Sequence, residues 1–376
     1  MFKKIFFTIF YFFYFYSPAF AKELSNKLSH DSSPSLVPIL SITPSNNSEK
    51  FNSFTSNLIN NKNTKKKTNN PNESGIILET SVENGKGISF ENVYNNNRKI
   101  SKLTWKFDNI LMSKIRMGII FDDLFELNLS YSTSNNNSYK NGKMTDLDWL
   151  GENGGGNDVN TDYNNWTHYS HSVVKTNIQE FDIHTRTIFY KKISINAGYR
   201  QQEFEFEDKT QNYIYSCDLY ARLDAISCVN GLRNISNDLK SINHINYNQR
   251  FRIPYIGIGL QDKFFNNKLA IDIFGAYSNA VFADDYDHHV VRSKVTTGKF
   301  YRGKYYNFGG NISYKFYENF AMRLGYEYSE IPLIKGNSKI ISYDPKYLST
   351  TTKNGAGLSS KFEKISFGLS YLFFLN

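Results

Sequence analysis

Leu103-Thr104-Trp105-Lys106-Phe107-Asp108-Asn109-Ile110-Leu111-Met112-Ser113-Lys114-Ile115-Arg116-Met117-Gly118-Ile119-Ile120-Phe121 repeats with a period of two. Leu103, Trp105, Phe107, Leu111, Ile115, Met117, Ile119 and Phe121 fall on one face. Thr104, Lys106, Asp108, Lys114, Arg116 and Gly118 fall on the other. Alternation of this kind is the pattern of a β-strand. The run is far longer than the roughly 3–10 residues of a strand in a soluble sheet. It suits a membrane barrel strand that continues beyond the bilayer.

The same period recurs along the chain. Phe125, Leu127, Leu129 and Tyr131 alternate with Glu126, Asn128 and Ser130, and Ile178 to Phe189 is a weaker strand. Ile193, Ile195, Ala197 and Tyr199 oppose Ser194, Asn196, Gly198 and Arg200; Phe204 and Phe206 then change parity, which predicts a bulge near Gln201-Gln202. Leu269 to Val281, Tyr306 to Phe316 and Phe320 to Tyr328 are further strands. In the last, Ile365, Phe367, Leu369, Tyr371 and Phe373 point outward, with Lys364, Ser366, Gly368 and Ser370 inward. Tight turns at 122–124, 190–192, 266–268 and 317–319 alternate with long polar loops around 134–174, 216–244, 282–302 and 332–352. Short turns on one rim and long loops on the other predict an all-β fold, a ten-stranded antiparallel transmembrane β-barrel whose long loops face the outside of the cell.

Composition agrees. Aromatic residues are 16% of the 376, with 27 Tyr and 31 Phe. The net charge of +9 could point to nucleic acid, but the N-terminus predicts export. Lys3 and Lys4 precede an apolar run, Ile5–Tyr16, and Ala19-Phe20-Ala21 follows, so residues 1–21 read as a signal peptide. Part of the positive charge then faces anionic lipid head groups. Residues 22–74, rich in Asn, Ser and Lys, read as a disordered extension, and 75–376 as the barrel domain. The two cysteines, Cys217 and Cys228, are expected to form a disulfide across a short loop.

Two polar clusters could carry chemistry. Asp284-Asp285-Tyr286-Asp287-His288-His289 follows the strand that ends at Val281. On an extended backbone Asp287 and His289 share a face, which suits a carboxylate-oriented general base. Zinc ligation and a plain polar loop are the other readings of the same residues. In Met144-Thr145-Asp146-Leu147-Asp148-Trp149 the two aspartates are again two apart. They could form a carboxylate pair, and a weak Ca²⁺ site or a polar loop are the other readings.

Taken in order, these pieces resemble the omptin family of outer-membrane endopeptidases. The resemblance rests on Asn84-Gly85-Lys86, Glu91-Asn92-Val93-Tyr94, Arg98 to Phe107, Met144 to Trp149, Ala197-Gly198-Tyr199 and Tyr213-Ile214-Tyr215-Ser216. It continues through Gln249 to Gly257, Asp285 to His289, Arg292-Ser293-Lys294-Val295 and Lys353 to Gly357. It implies peptide hydrolysis by an activated water at the outer rim, without a covalent intermediate. The catalytic pairs would be Asp146/Asp148 and Asp287/His289. A pocket for a basic residue before the scissile bond would be formed by Glu91 and Asp285, lined by Met144 and Ile245. No metal or other cofactor is implied.

The partners implied are polypeptides with basic residues, the outer membrane and lipopolysaccharide. Of the lipopolysaccharide-binding set Tyr199 and Arg250 match, but Gln201, Glu203 and Thr296 stand where Glu, Arg and Lys are usual. This leaves open whether activity requires the lipid. His168 replaces a groove acid, which bears on fine specificity. An adhesin or receptor on the same fold, and a passive pore, are the competing functions.

Overall fold

The structure, a computed structural model, describes residues 74–121, 124–134, 138–149, 168–190, 192–216, 232–234, 243–290, 293–343 and 349–374. The signal peptide, nearly all of the extension, and Cys217 and Cys228 lie outside the described residues. The strands are β1 (Gly75–Asn95), β2 (Arg98–Phe121), β3 (Phe125–Ser134), β4 (Gly142–Asp148), β5 (His168–Tyr190) and β6 (Ile193–Ser216). They continue with β7 (Leu232–Asn234), β8 (Ile245–Phe264), β9 (Leu269–His289), β10 (Lys294–Lys315), β11 (Phe320–Ser342) and β12 (Thr350–Phe374).

Each long strand pairs antiparallel with its neighbours, and β1 pairs with β12, so the sheet closes on itself. β3 and β4 stack end to end between β2 and β5: β2 meets β3 through Met112–Phe121 and β4 through Ser101–Phe107. They form one stave, and β7 is a stub paired with the end of β6. The barrel therefore has the ten staves expected. Closure leaves no unpaired sheet edge, which a bilayer would penalise heavily. The turn after β8 holds Phe265, Asn266 and Asn267 at φ 52°, 55° and 64°. Asparagine tolerates this left-handed backbone, which a two-residue hairpin requires.

Two details of the expected pattern are corrected. The apolar face of β2 is not continuous. Asn109 adopts φ 54° and the β1–β2 register slips there, Gly85 pairing with Ile110 but Gly87 with Phe107. Leu103, Trp105 and Phe107 face inward above this bulge, whereas Leu111, Ile115 and Met117 are exposed outside below it. β6 is the converse: its register with β5 and β8 runs unbroken through Gln201-Gln202, with no bulge. Even-numbered residues stay inside, from Ser194 and Arg200 to Phe204 and Phe206. What changes along β6 is the medium outside the wall.

Both corrections have one physical cause. In the lower half the wall meets hydrocarbon, so Ile195, Ile256, Ile258, Phe308, Phe367 and Leu369 point outward. In the upper half it meets water, so the apolar residues turn inward to form a core. There Trp105 stacks on Phe206 and Tyr247 at 5.0 and 5.3 Å between ring centroids. Phe107, Phe204, Phe251 and Phe362 pack beneath. This core lets the strands continue into what the sequence pattern assigns to loops. Residues 142–148, 168–174, 282–289, 294–302 and 332–342 are all strand.

The lower lumen is filled by ion pairs. Arg116 bonds Glu79 at 3.1 Å and Glu126 at 2.7 Å, Arg323 bonds Glu79 at 3.0 Å, and Arg186 bonds Asp272 at 2.9 Å. Above them Arg200 holds Asp182 at 2.9 Å and also Glu327, and Lys364 reaches Glu180 at 2.5 Å. Breaking one partner of such a buried pair leaves an uncompensated charge, so the network resists opening. Together with the aromatic core above, it argues against a passive pore. Protein inserted in a planar lipid bilayer should give no steady ohmic steps; porin-like steps would show that the lumen opens.

Candidate active site

The strand register places the two polar clusters on facing inner walls of the upper barrel. On β1, β2 and β4, three successive rows run Ser89–Trp105–Met144, then Glu91–Leu103–Asp146, then Val93–Ser101–Asp148. On β8, β9 and β10 they run Gln249–Asp285–Gly298, then Tyr247–Asp287–Thr296, then Ile245–His289–Lys294. The two walls touch at their lower ends. Gln249 Nε2 donates to the Phe90 carbonyl at 3.3 Å, the Ser89 hydroxyl donates to Gln249 Oε1, and Trp105 stacks on Tyr247. Trp105, Tyr247, Met144 and Gln249, all buried, thus close the base of the groove.

In this groove the carboxylates converge. Asp285, Asp287, Asp146 and Glu91 interact strongly enough that like charge adds to burial in raising the Glu91 carboxyl well above the usual range, with Lys294 opposing it. Burial, then the neighbouring Asp287, pushes Asp285 up to about 7. Tyr247 donates its hydroxyl to Asp285 Oδ2 at 3.3 Å and receives Gln249 Nε2 at 2.8 Å. Gly298 lies against Asp285: a Cβ there would sit 2.6 Å from Oδ1, which excludes any larger residue without movement. Glu91 Oε2 and Asp287 Oδ1 are buried without a hydrogen-bond partner among the described residues. Oxygens of this kind call for a donor or cation, supplied by water or by a ligand.

His289 Nε2 lies 2.7 Å from Asp287 Oδ2. This fixes the ring and leaves Nδ1 as the nitrogen able to take a proton. His288 lies on the other face, its ring against Tyr286. Across the groove Ser101 Oγ donates to Asp146 Oδ1 at 3.3 Å. Ile245 is the direct register partner of His289, and Met144 lies beside Trp105; both are buried. His168 opens β5 opposite Asp148.

Tyr199 and Arg250 lie away from this groove, on the outward face of β6 and β8. Arg250 Nε contacts Glu203 Oε2 at 3.3 Å, and Arg252 contacts Asp284 at 2.8 Å. The outward row runs Glu203–Arg250–Asp284–Lys299, while Thr296 lies opposite Asp287. Sequence reasoning missed Tyr247, Gln249, Ser101 and Asp208 as parts of the site. Their signal is positional: each shares a register row with a candidate residue or adjoins one, and rows exist only once strands are paired.

Residues 72–373 match the sequence profile of the Omptin family. The chain is similar to a plasminogen activator of Yersinia pestis, 27% identical over 81% of this chain and 90% of that one. It is also similar to Protease 7 of Escherichia coli O157:H7, 28% identical over 73% of this chain and 82% of that protein. Its fold matches the crystal structure of the outer membrane protease OmpT from Escherichia coli with a TM-score of 0.66 at 23% identity, over 80% of this chain and 97% of that one. A barrel of ten staves with an aromatic core, with this profile matched across its whole length, belongs to the Omptin family.

Proposed function

We propose that this chain is an outer-membrane endopeptidase that cleaves beside Arg or Lys, with its groove facing the cell exterior. The observation that carries the reading is the 2.7 Å contact between Asp287 and His289, on a wall facing Asp146 and Asp148. In this mechanism a water lies between His289 Nδ1 and the aspartate pair. His289 accepts its proton as the oxygen attacks the scissile carbonyl. Asp287 stabilises the resulting imidazolium, and Asp146 and Asp148 hold the water and then contact the tetrahedral intermediate. Collapse of the intermediate breaks the C–N bond, and the imidazolium returns its proton to the leaving amine. Glu91 and Asp285, buried and lacking enough cationic partners, would be balanced by the guanidinium or ammonium of the substrate.

Two relatives named as a plasminogen activator and a protease support the reaction class. The orientation is supported by the tight turns at one rim and the acidic groove at the other. Lipopolysaccharide is the proposed lipid partner at Tyr199 and Arg250. Here Glu203 already partly neutralises Arg250 from within the protein. The refolded barrel should therefore cleave a peptide library after Arg or Lys, and added lipopolysaccharide should raise the rate only modestly. A correctly folded, heat-resistant barrel that cleaves none of these peptides, with or without the lipid, would overturn the reading and favour an adhesin.

A further inference from the structure

We propose that Asp208 is a positioning residue for His289, acting through the backbone at the start of β8 and through its own charge; this rests on the protease reading above. Asp208 is fully buried on the inner face of β6. Its Oδ1 accepts the backbone N–H groups of His244 at 2.9 Å and Ile245 at 2.7 Å, and its Oδ2 accepts the Ser172 hydroxyl at 2.7 Å. The His244 carbonyl in turn accepts the N–H of Val290, the residue after His289, at 2.9 Å. One carboxylate therefore anchors the first residues of β8, and β8 anchors the end of β9 that presents the imidazole.

The register supplies the second link. Glu207 pairs with Asn246 and Ile245 pairs with His289, so Asp208 and His289 flank Ile245 from the two adjoining strands. Their Cα atoms are about 10 Å apart, two strand spacings. Among the described residues no Lys or Arg forms an ion pair with Asp208. Burial holds its carboxyl above the usual range, and the three hydrogen bonds and the charge of His289 offset part of that rise. The other titratable side chains around the pair are Asp287 on β9, Lys294 on β10 and His244 on β8, with Asp146 and Asp148 on the facing wall. The β5 residues against Asp208, Ser172 and Val174, do not titrate in this range.

Two substitutions separate the links. In Asp208→Asn the amide oxygen still accepts both N–H groups, but the charge is gone. In Asp208→Ala the anchor is lost as well. Asp208→Ala should lower kcat at least tenfold, and Asp208→Asn should recover most of that loss. With the anionic neighbour removed, the imidazolium is less favoured. The acid limb of the kcat profile in Asp208→Asn should therefore move to lower pH by about one unit, as expected for a charge about 10 Å away at an effective dielectric of about 20. The ring resonances of His289, followed by NMR in detergent-refolded protein, should shift their midpoint in the same direction. A purely structural role would lower the heat resistance of both variants and leave the limb and the midpoint where they are. Unchanged kcat in Asp208→Ala, or an unmoved His289 midpoint in Asp208→Asn, would overturn the proposal. If the wild-type barrel cleaves no peptide, the protease reading fails, while the NMR midpoint still reports on the coupling between Asp208 and His289.

Discussion

His289→Ala and Asp146→Ala should each lower turnover by about 10²–10⁴-fold, the usual contribution of a general base or of a group that orients its water. The barrel should remain inserted and heat-resistant in both, because neither side chain belongs to the aromatic core or to the ion pairs below it. His288→Ala is the internal control. Its ring lies against Tyr286 on the opposite face of β9, so its loss should change kcat/KM by less than threefold or so. Chelation by EDTA should leave the rate of the wild-type protein unchanged. The alternative in which these residues bind zinc predicts the reverse, loss with chelator and recovery with zinc. An essential His288 beside a dispensable His289 would mean that the site lies on the other face of β9, and the mechanism would have to be abandoned.

The period of two made the barrel and its ten staves legible, because a wall between hydrocarbon and a polar lumen writes alternation into every strand. The extent of the strands was not legible. Asp146 and Asp287 read as loop residues because the chain around them is polar and short of outward apolar positions. Their strands persist because Trp105, Phe107, Phe204, Phe206 and Tyr247 reverse the pattern and pack inside a water-exposed barrel. The bulge at Asn109 was hidden for a related reason. Leu103 to Phe107 and Leu111 to Phe121 keep the same parity in sequence, and only the pairing of Gly85 and Gly87 shows that they occupy opposite faces. Spacing alone brought Asp287 and His289 together, since i and i+2 share a face on any strand. It could not bring Asp208 to them, since that residue reaches the site across two strand pairings.

Glu91 and Asp285 should govern the choice of substrate, and pH should reveal it. Burial and then Asp287 hold the Asp285 carboxyl up to about 7, and burial and like charge raise Glu91 as well. Below about pH 7 Asp285 is therefore largely neutral, and a basic side chain entering the pocket must displace a proton. KM for an Arg-containing peptide should fall as pH rises through about 7 and then level off. A peptide carrying neutral citrulline at the same position should show no such fall. In Asp285→Asn the pH dependence of KM for the Arg peptide should weaken, with Glu91 supplying what remains. Replacing both acids, as Glu91→Gln with Asp285→Asn, leaves the substrate cation without a buried partner. Such a loss is worth about 3–5 kcal/mol, so kcat/KM for basic sites should drop at least about 10²-fold, with apolar sites little changed. Stability should move the other way. A carboxyl whose folded pKa lies above its unfolded value of 3.8 binds more protons when folded, so the folded state loses stability as pH rises from about 4 to about 7. At pH 8 Asp285→Asn should accordingly be at least as heat-resistant as the wild-type barrel, measured by its thermal unfolding in detergent. Equal losses on basic and apolar peptides, together with a less heat-resistant variant, would show that the two acids hold the groove in shape and do not read the substrate.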